Sequence, residues 1–486
     1  AGLRWSGYGY PRAFFLGPDT SGAYRSNDQF GWRFFPRPLA RRPQPFLLPD
    51  KAPGTIRIFV FGGSAAMGIP DPAFGFGRIL EVMLRERYPG TRFEVINTAM
   101  TAINSHVALE IARECESHGA DLFVVYMGNN EVTGPYGPGT AFQQWSRRLA
   151  MVRASIWVKP TLVGQLLHDI MEACRGGEDA GTAWRGMEMC LRNRVAADSP
   201  ELAQVYENFR QNLIDICGTA RRAGATVVLS TVAVNLRDFP PLASVHRSDL
   251  SPAELGRWET LCRAGEAWES GRDFRKAMEQ YEAAAAIDDR FAELQFRLGR
   301  CLAATGRFSE ARARFVSACD LDALRFRADS RINGIIREVA AGRGTDDVQL
   351  ADAEQAFANG DLAAAGIPGG EAFLDHVHLT FDGNYWLARA VLDRVAEALP
   401  GAVRSRRVGD IPSRAKCTKL LALTRWDEFQ MAAWAARSTS RAPFTGQLDH
   451  AARKDAAYAR MEDLGRVAST PEALQEAIRT YEAALA

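Results

Sequence analysis

The stretch Thr55-Ile-Arg-Ile-Phe-Val-Phe-Gly-Gly-Ser64 decides the fold. Its apolar residues fall on both faces of an extended chain. That suits a strand buried inside a parallel sheet, and the Gly-Gly-Ser ending marks a sharp exit from it. Working outward, residues 76–87 read as a helix, with Ile79, Leu80, Met83 and Leu84 on one face. Residues 93–96 form a second strand, 107–116 a second helix and 122–127 a third strand. A long helix over 202–223 leads to a fourth strand at 226–232. A short strand at 348–352 and a helix at 385–399 complete the pattern. Strands alternating with helices predict an α/β fold, an open parallel sheet with helices on both faces. Such sheets hold their sites at the carboxyl ends of the strands. Polar residues gather at those ends: Ser64, the segment 97–104, and Asn129.

Composition narrows the function. The 486 residues correspond to about three average domains. With 59 basic and 58 acidic residues the net charge is +1, so nothing in the overall field favours nucleic acid. Eight cysteines without a C-x-x-C pair imply neither a disulfide framework nor a structural zinc site. No apolar run reaches the ~18 residues of a membrane span. The chain begins at Ala1, which fits removal of a signal peptide or anchor upstream. Residues 1–51 interleave Arg4, Arg12, Arg25, Arg33, Arg37, Arg41, Arg42 and Lys51 with Trp5, Tyr8, Tyr10, Phe14, Phe15, Trp32, Phe34 and Phe35. Two readings follow. The arm lies near lipid headgroups or on a partner, or it packs across its own domain with aromatics buried and arginines solvated. The second is favoured.

After Asn235 the pattern turns helical. Gly265, Phe274, Ala277, Tyr281, Ile287 and Asp288 match Gly299, Phe308, Ala311, Phe315, Leu321 and Asp322 at an offset of 34. This period, with Ala-x-x-x-Tyr/Phe in the second helix, resembles the tetratricopeptide repeat. Its functional reading is a groove for a protein partner, and its plainer reading a brace for the site. Residues 476–484 repeat the second-helix pattern, so 417–486 are expected to fold back onto the insert.

Four pieces fit one reaction. Ser64 follows two glycines at a strand-to-helix turn, and a serine nucleophile needs an adjacent base. His378 is the candidate base. Asp375, three residues earlier, is placed about one helical turn away to hold Nδ1. Only His378, not His376, keeps that spacing. The Ser64 N–H, a backbone N–H in 98–104 and the Asn129 amide are available as oxyanion donors. Asn130 and Glu131 either bind substrate or make loop hydrogen bonds. Arg325, Arg327 and Arg331 either hold an anionic or sugar substrate or line a solvated helix. Gly62-Gly63 is not a phosphate loop, since no Gly-Lys-Ser/Thr follows.

These residues resemble the SGNH, or GDSL-type, hydrolase family. Its first block corresponds to Gly62-Gly63-Ser64-Ala65, its second to 97–102, its third to Gly128-Asn129-Asn130-Glu131 and its fifth to Asp375-His-Val-His378. The resemblance implies a flavodoxin-like α/β/α sandwich over 52–238 and 331–400. A tetratricopeptide-like insert spans 239–330, the arm is 1–51, and a helical segment covers 401–486. It implies a serine-dependent esterase or O-acyltransferase. Ser64, Asp375 and His378 would be catalytic, with Ser64, Ala102 and Asn129 forming the oxyanion hole. Gly63, Asn130, Arg327 and Arg331 are candidate substrate contacts. No metal or organic cofactor is implied. The expected partners are an acyl ester, a protein at the repeats and a membrane at the arm, in an extracytoplasmic location. A non-catalytic scaffold is the rival reading. Two positions depart from the family: Gly63 stands where an acid is usual, and Ala102 stands for the second-block glycine.

Overall fold

The computed structural model describes residues 8–142, 146–174, 185–342, 347–360 and 363–485; Arg4, Trp5 and the side chain of Cys174 lie outside the description. The arm forms a small antiparallel sheet of β1 (Phe15–Leu16), β2 (Tyr24–Ser26) and β3 (Leu47–Leu48). Phe14, Phe15, Phe30, Phe34 and Phe35 are buried in the same core as the main sheet. The arm therefore packs on its own chain. One arginine departs from the expected solvation: Arg33 is buried and donates to Glu110 at 2.7 Å.

The main sheet contains β4 (Thr55–Gly62), β5 (Arg92–Asn97), β6 (Leu122–Tyr126), β7 (Thr226–Ser230) and β8 (Val348–Ala351). Its order is β5-β4-β6-β7-β8, and every pairing is parallel. That is the 2-1-3-4-5 order of flavodoxin-like sheets. All eight residues of β4 are buried, as its unalternating sequence requires. Each large side chain there contributes ~1.5–3 kcal/mol. Helices Phe76–Arg87 and Phe381–Ala398 pack together on one face. Ser105–Cys115, Pro200–Arg222 and Ser330–Gly342 cover the other.

Between β7 and β8 stand two helix pairs, Pro252–Ser270 with Phe274–Ala285 and Ala292–Ala304 with Phe308–Asp320. The register of 34 has a steric cause. A Cβ at Gly265 would collide with the Tyr281 ring, and one at Gly299 would lie 2.9 Å from Phe315. Glycine on the first helix admits the aromatic ring of the second, while Ala277 and Ala311 are fully buried beside it. Asp288 and Asp322 are also buried, and each accepts backbone N–H groups from the segment before the first pair: Arg247 for one, Leu242 and Ala243 for the other.

The C-terminal helices Arg425–Thr439 and His450–Ala468 form a hairpin, joined by Pro471–Leu485. The hairpin meets the repeats through Arg300 and Asp449, 2.6 Å apart. Among the described residues, no helix is long and apolar enough to cross a membrane.

Candidate active site

The turn after β4 is built from glycine for reasons of space. A Cβ on Gly62 would strike the Tyr126 carbonyl oxygen of the adjacent strand, and one on Gly63 would lie 2.8 Å from Asn130 Nδ2. The chain enters a single helical turn at Ser64–Met67, closed by Gly68 at φ 91°. This leaves Ser64 half-exposed at the carboxyl edge of the sheet.

His378 Nε2 lies 2.8 Å from Ser64 Oγ, and its Nδ1 lies 2.6 Å from Asp375 Oδ2. An ionised carboxylate only accepts, so Nδ1 carries the proton. Nε2 is then left to accept from the serine hydroxyl. The physical basis of the Asp-x-x-His spacing differs from the expected helical turn. Residues 374–377 are a bend, closed by the Phe373–Leu379 bridge. Asp375 Oδ1 accepts the N–H groups of Val377 and His378, each at 2.9 Å. The aspartate thus fixes both the backbone and the ring of its histidine. Burial opposes ionisation of Asp375. His378, then His376, outweigh it and hold the carboxyl well below its ordinary range.

His376 does not face Ser64: its Nδ1 lies 3.2 Å from Asp375 Oδ1, on the other oxygen from the one His378 holds. Its ring packs beside Phe239, Phe326 and Phe444. Asp375, His376 and His378 are the one trio of potential metal donors found together among the described residues, within 4.8 Å of one another. Both nitrogens of His378 already face Asp375 and Ser64, so it offers no ring nitrogen to an ion.

Three donors sit at the ends of adjacent strands with no acceptor in the described chain: the N–H groups of Ser64 and Ala102 and the Asn129 side-chain amide. Ala102 has φ 59°, the left-handed angle that glycine takes without strain. Asn129 Oδ1 accepts the Ala328 N–H at 2.9 Å, which turns Nδ2 away from that contact. Asn130 Nδ2 instead donates to the Ile103 carbonyl at 3.1 Å and bridges two loops of the site. Glu131 is buried and accepts from Ser105 N at 2.9 Å and Ser105 Oγ at 2.7 Å. Burial pushes its carboxyl up to about 7, against those hydrogen bonds.

The arginines are placed differently from the substrate-binding expectation. Arg327 is buried over the Phe239 ring; its guanidinium donates to the carbonyls of Asn235 and Phe239 and faces Asp322 at 3.2 Å. Asn235 in turn donates its N–H to the His376 carbonyl and its Nδ2 to the Asp375 carbonyl, each at 3.0 Å. Arg327 is therefore tied to the acid–histidine bend through the protein itself. Arg325 is bound to Val195, Asp320 and Asp329. Arg331 pairs with Glu338 at 2.9 Å on a half-exposed helix face.

One neighbour had no sequence signal. Trp434, in the C-terminal hairpin, lies across His378 with ring centroids 5.1 Å apart and planes at 83°. It is a single aromatic within the run Ala432-Ala433-Trp434-Ala435-Ala436, whose small residues give no helical stripe. Behind the bend, a cavity of about 630 Å³ opens between the repeats and the hairpin, with Asp375 in its wall.

Residues 268–318 match the tetratricopeptide repeat family model. A comparison with curated proteins gives no match. Among solved structures, an acetyl xylan esterase, AlAXEase, aligns at 13% identity over 70% of this chain and 100% of its own, with a TM-score of 0.33. TesA aligns at 13% identity over 71% of this chain and 99% of its own, with a TM-score of 0.28. At such scores the likeness carries no argument.

Proposed function

We propose that the chain is a serine-dependent esterase or O-acyltransferase of the SGNH type. One observation carries the reading: Ser64 Oγ, His378 and Asp375 form a continuous hydrogen-bonded line of 2.8 and 2.6 Å. In this reading Ser64 Oγ attacks an ester carbonyl as His378 Nε2 takes its proton. Asp375 stays ionised and stabilises the imidazolium. The N–H groups of Ser64 and Ala102 and the Asn129 amide receive the oxyanion. Each such donor contributes on the order of 10²–10³ in rate. His378 then returns the proton to the departing alcohol, leaving an acyl ester on Ser64. Water or an acceptor hydroxyl, deprotonated by the same imidazole, releases the acyl group. Gly63 and Asn130 shape the loop around the nucleophile, and Arg327 supports the bend from behind.

A fluorophosphonate probe is expected to label Ser64, and Ser64→Ala to abolish labelling; equal labelling of the variant removes Ser64 from the mechanism. Asp375→Asn should lower turnover of aryl acetates by roughly 10³–10⁴-fold. Supplying an alcohol acceptor separates transfer from hydrolysis by the product formed. The scaffold reading rests on the repeats, yet their contact with Asp449 gives them a partner within the same chain.

A further inference from the structure

The cavity behind the acid–histidine bend has a volume of about 630 Å³. That lies within the ~300–1,000 Å³ of small-molecule sites. Ser64 and His378 are not among its lining residues, so it is a chamber apart from the reacting side. Its apolar walls come from three parts of the chain. Phe274 and Phe296 belong to the repeats, Phe373 and Leu374 lead into the bend, and Leu448 and Ala457 belong to the C-terminal hairpin. Alanines on both sides, Ala303 and Ala304 of the repeats and Ala432 and Ala435 of the hairpin, are too small to fill the space.

The charges on this lining do not cancel. Arg237 pairs with Asp238 at 2.8 Å and with Glu371 at 2.5 Å. Arg300 pairs with Asp449 at 2.6 Å and with Glu269 at 3.2 Å. Asp375 is met by His376 and His378. Every acid of the lining is thereby engaged. Arg453, Lys454 and Arg460 remain, none of them ion-paired among the described residues. Asp455 and Glu462, the acids nearest them in sequence, lie outside the lining. Arg453 and Arg460 are seven apart on helix His450–Ala468, with Ala457 between them on the same face. Arg453 Nε donates to the Leu448 carbonyl at 3.3 Å and Nη2 to Gln447 Oε1 at 3.0 Å, which leaves Nη1 without a partner among the described residues. Burial draws the Arg453 pKa down; Asp449 opposes this and Arg300 adds to it. A half-buried guanidinium without a carboxylate is unfavourable unless an anion meets it.

We propose that this chamber binds an amphiphilic anion, a carboxylate or phosphate head on an apolar tail. The head meets Arg453 Nη1 in a charge-assisted hydrogen bond, and Lys454 and Arg460 add to the positive field around it. The tail lies among Phe274, Phe296 and Phe373, whose side chains ask for no hydrogen bond. A cation or a neutral ligand would leave Arg453 without its counter-charge. The inference does not depend on ester chemistry, because the chamber shares Asp375 with the bend but not Ser64.

The full chain is titrated by calorimetry with decanoate, decyl phosphate, decanol and acetate, each below micelle formation. At least one of the two long anions should bind, the tighter identifying the head, with decanol at least ~10-fold weaker. Acetate, lacking a tail, should give no heat. From hexanoate to decanoate the affinity should rise about fourfold per methylene. Arg453→Gln should lower affinity for the tighter anion by at least ~10-fold. Lys454→Gln with Arg460→Gln, both on the surface, should lower it ~2–5-fold without changing circular dichroism. The bound anion should slow hydrogen exchange in helices Arg425–Thr439 and His450–Ala468. Absence of binding by both long anions at millimolar concentration overturns the proposal, as does equal affinity for decanol or protection confined to other parts of the chain. Unchanged affinity in Arg453→Gln also overturns it; if that variant fails to fold, unchanged affinity in the double variant does so. Self-association that the double variant abolishes, with neither anion bound, overturns it and assigns the face to a second copy of the chain.

Discussion

Ala102 holds its left-handed angle although its methyl group disfavours it, at a cost of ~1–2 kcal/mol. Ala102→Gly removes that strain but frees the unfolded chain, so the two effects nearly cancel. Urea unfolding should place the glycine variant within about 1 kcal/mol of the parent. Ala102→Val adds a β-branched side chain at the same angle and should lose a further ~1–2 kcal/mol, together with aryl-ester turnover. A valine variant as stable and active as the parent would show that the angle is not held. At this scale the sequence was informative wherever chemistry sat in a short motif. Gly62-Gly63-Ser64 and Asp375-x-x-His378 could be found by spacing alone. The cause of the second spacing could not, because an aspartate that caps its own bend reads like one that begins a helical turn. Trp434 and the inward turn of Arg327 depend on distant packing and left no local trace.

The helix Ser105–Cys115 shows how elements share polar groups. Asn104, at its N-cap, supplies no side-chain cap, and Glu131 from the end of β6 accepts the Ser105 N–H instead. Burial raises the Glu131 carboxyl to about 7 from an ordinary 4.5. Between these values the folded chain keeps a proton that the unfolded chain has released. Stability therefore falls as pH rises through that window. Glu131→Gln cannot titrate, so its melting temperature should vary less between pH 5 and pH 7.5 (assay limits). The difference in pH dependence amounts to roughly 3 kcal/mol at most. Identical profiles would place the pH response elsewhere. A continuous apolar run, as in β4, and a fixed period, as in the repeats, were legible in sequence. The helix expected from 385 begins at Phe381, because the Thr380 side chain accepts the Gly383 N–H and starts it a turn earlier. The helix Leu149–Val158 was not foreseen, since apolar residues on two sides of a helix erase the expected amphipathic contrast.

Across the whole molecule, burial is unevenly distributed. The strands β4 and β6 are buried along their full lengths, whereas helix His450–Ala468 buries only Ala468. Its tether to the repeats, Arg300–Asp449, joins partly exposed groups. Such pairs are worth about 0–1 kcal/mol and weaken with salt. Native-state hydrogen exchange should therefore protect β4 and β6 most and the C-terminal hairpin far less, with the gap widening at high ionic strength. Uniform protection would mean that the hairpin unfolds only with the sheet. The overall α/β architecture was legible because strand burial imprints itself on sequence. The meeting of the hairpin with His378 was not, because it joins two surfaces rather than completing a pattern.

Ser64 and His378 are separated by 314 positions. A ribosome adding 5–20 residues per second needs roughly 15–60 s to travel from one codon to the other. Throughout that interval the Ser64 hydroxyl lacks His378 as its hydrogen-bond partner, and the Trp434 indole arrives later still. On the proposed ester chemistry, the growing polypeptide is unable to begin its reaction during its own synthesis.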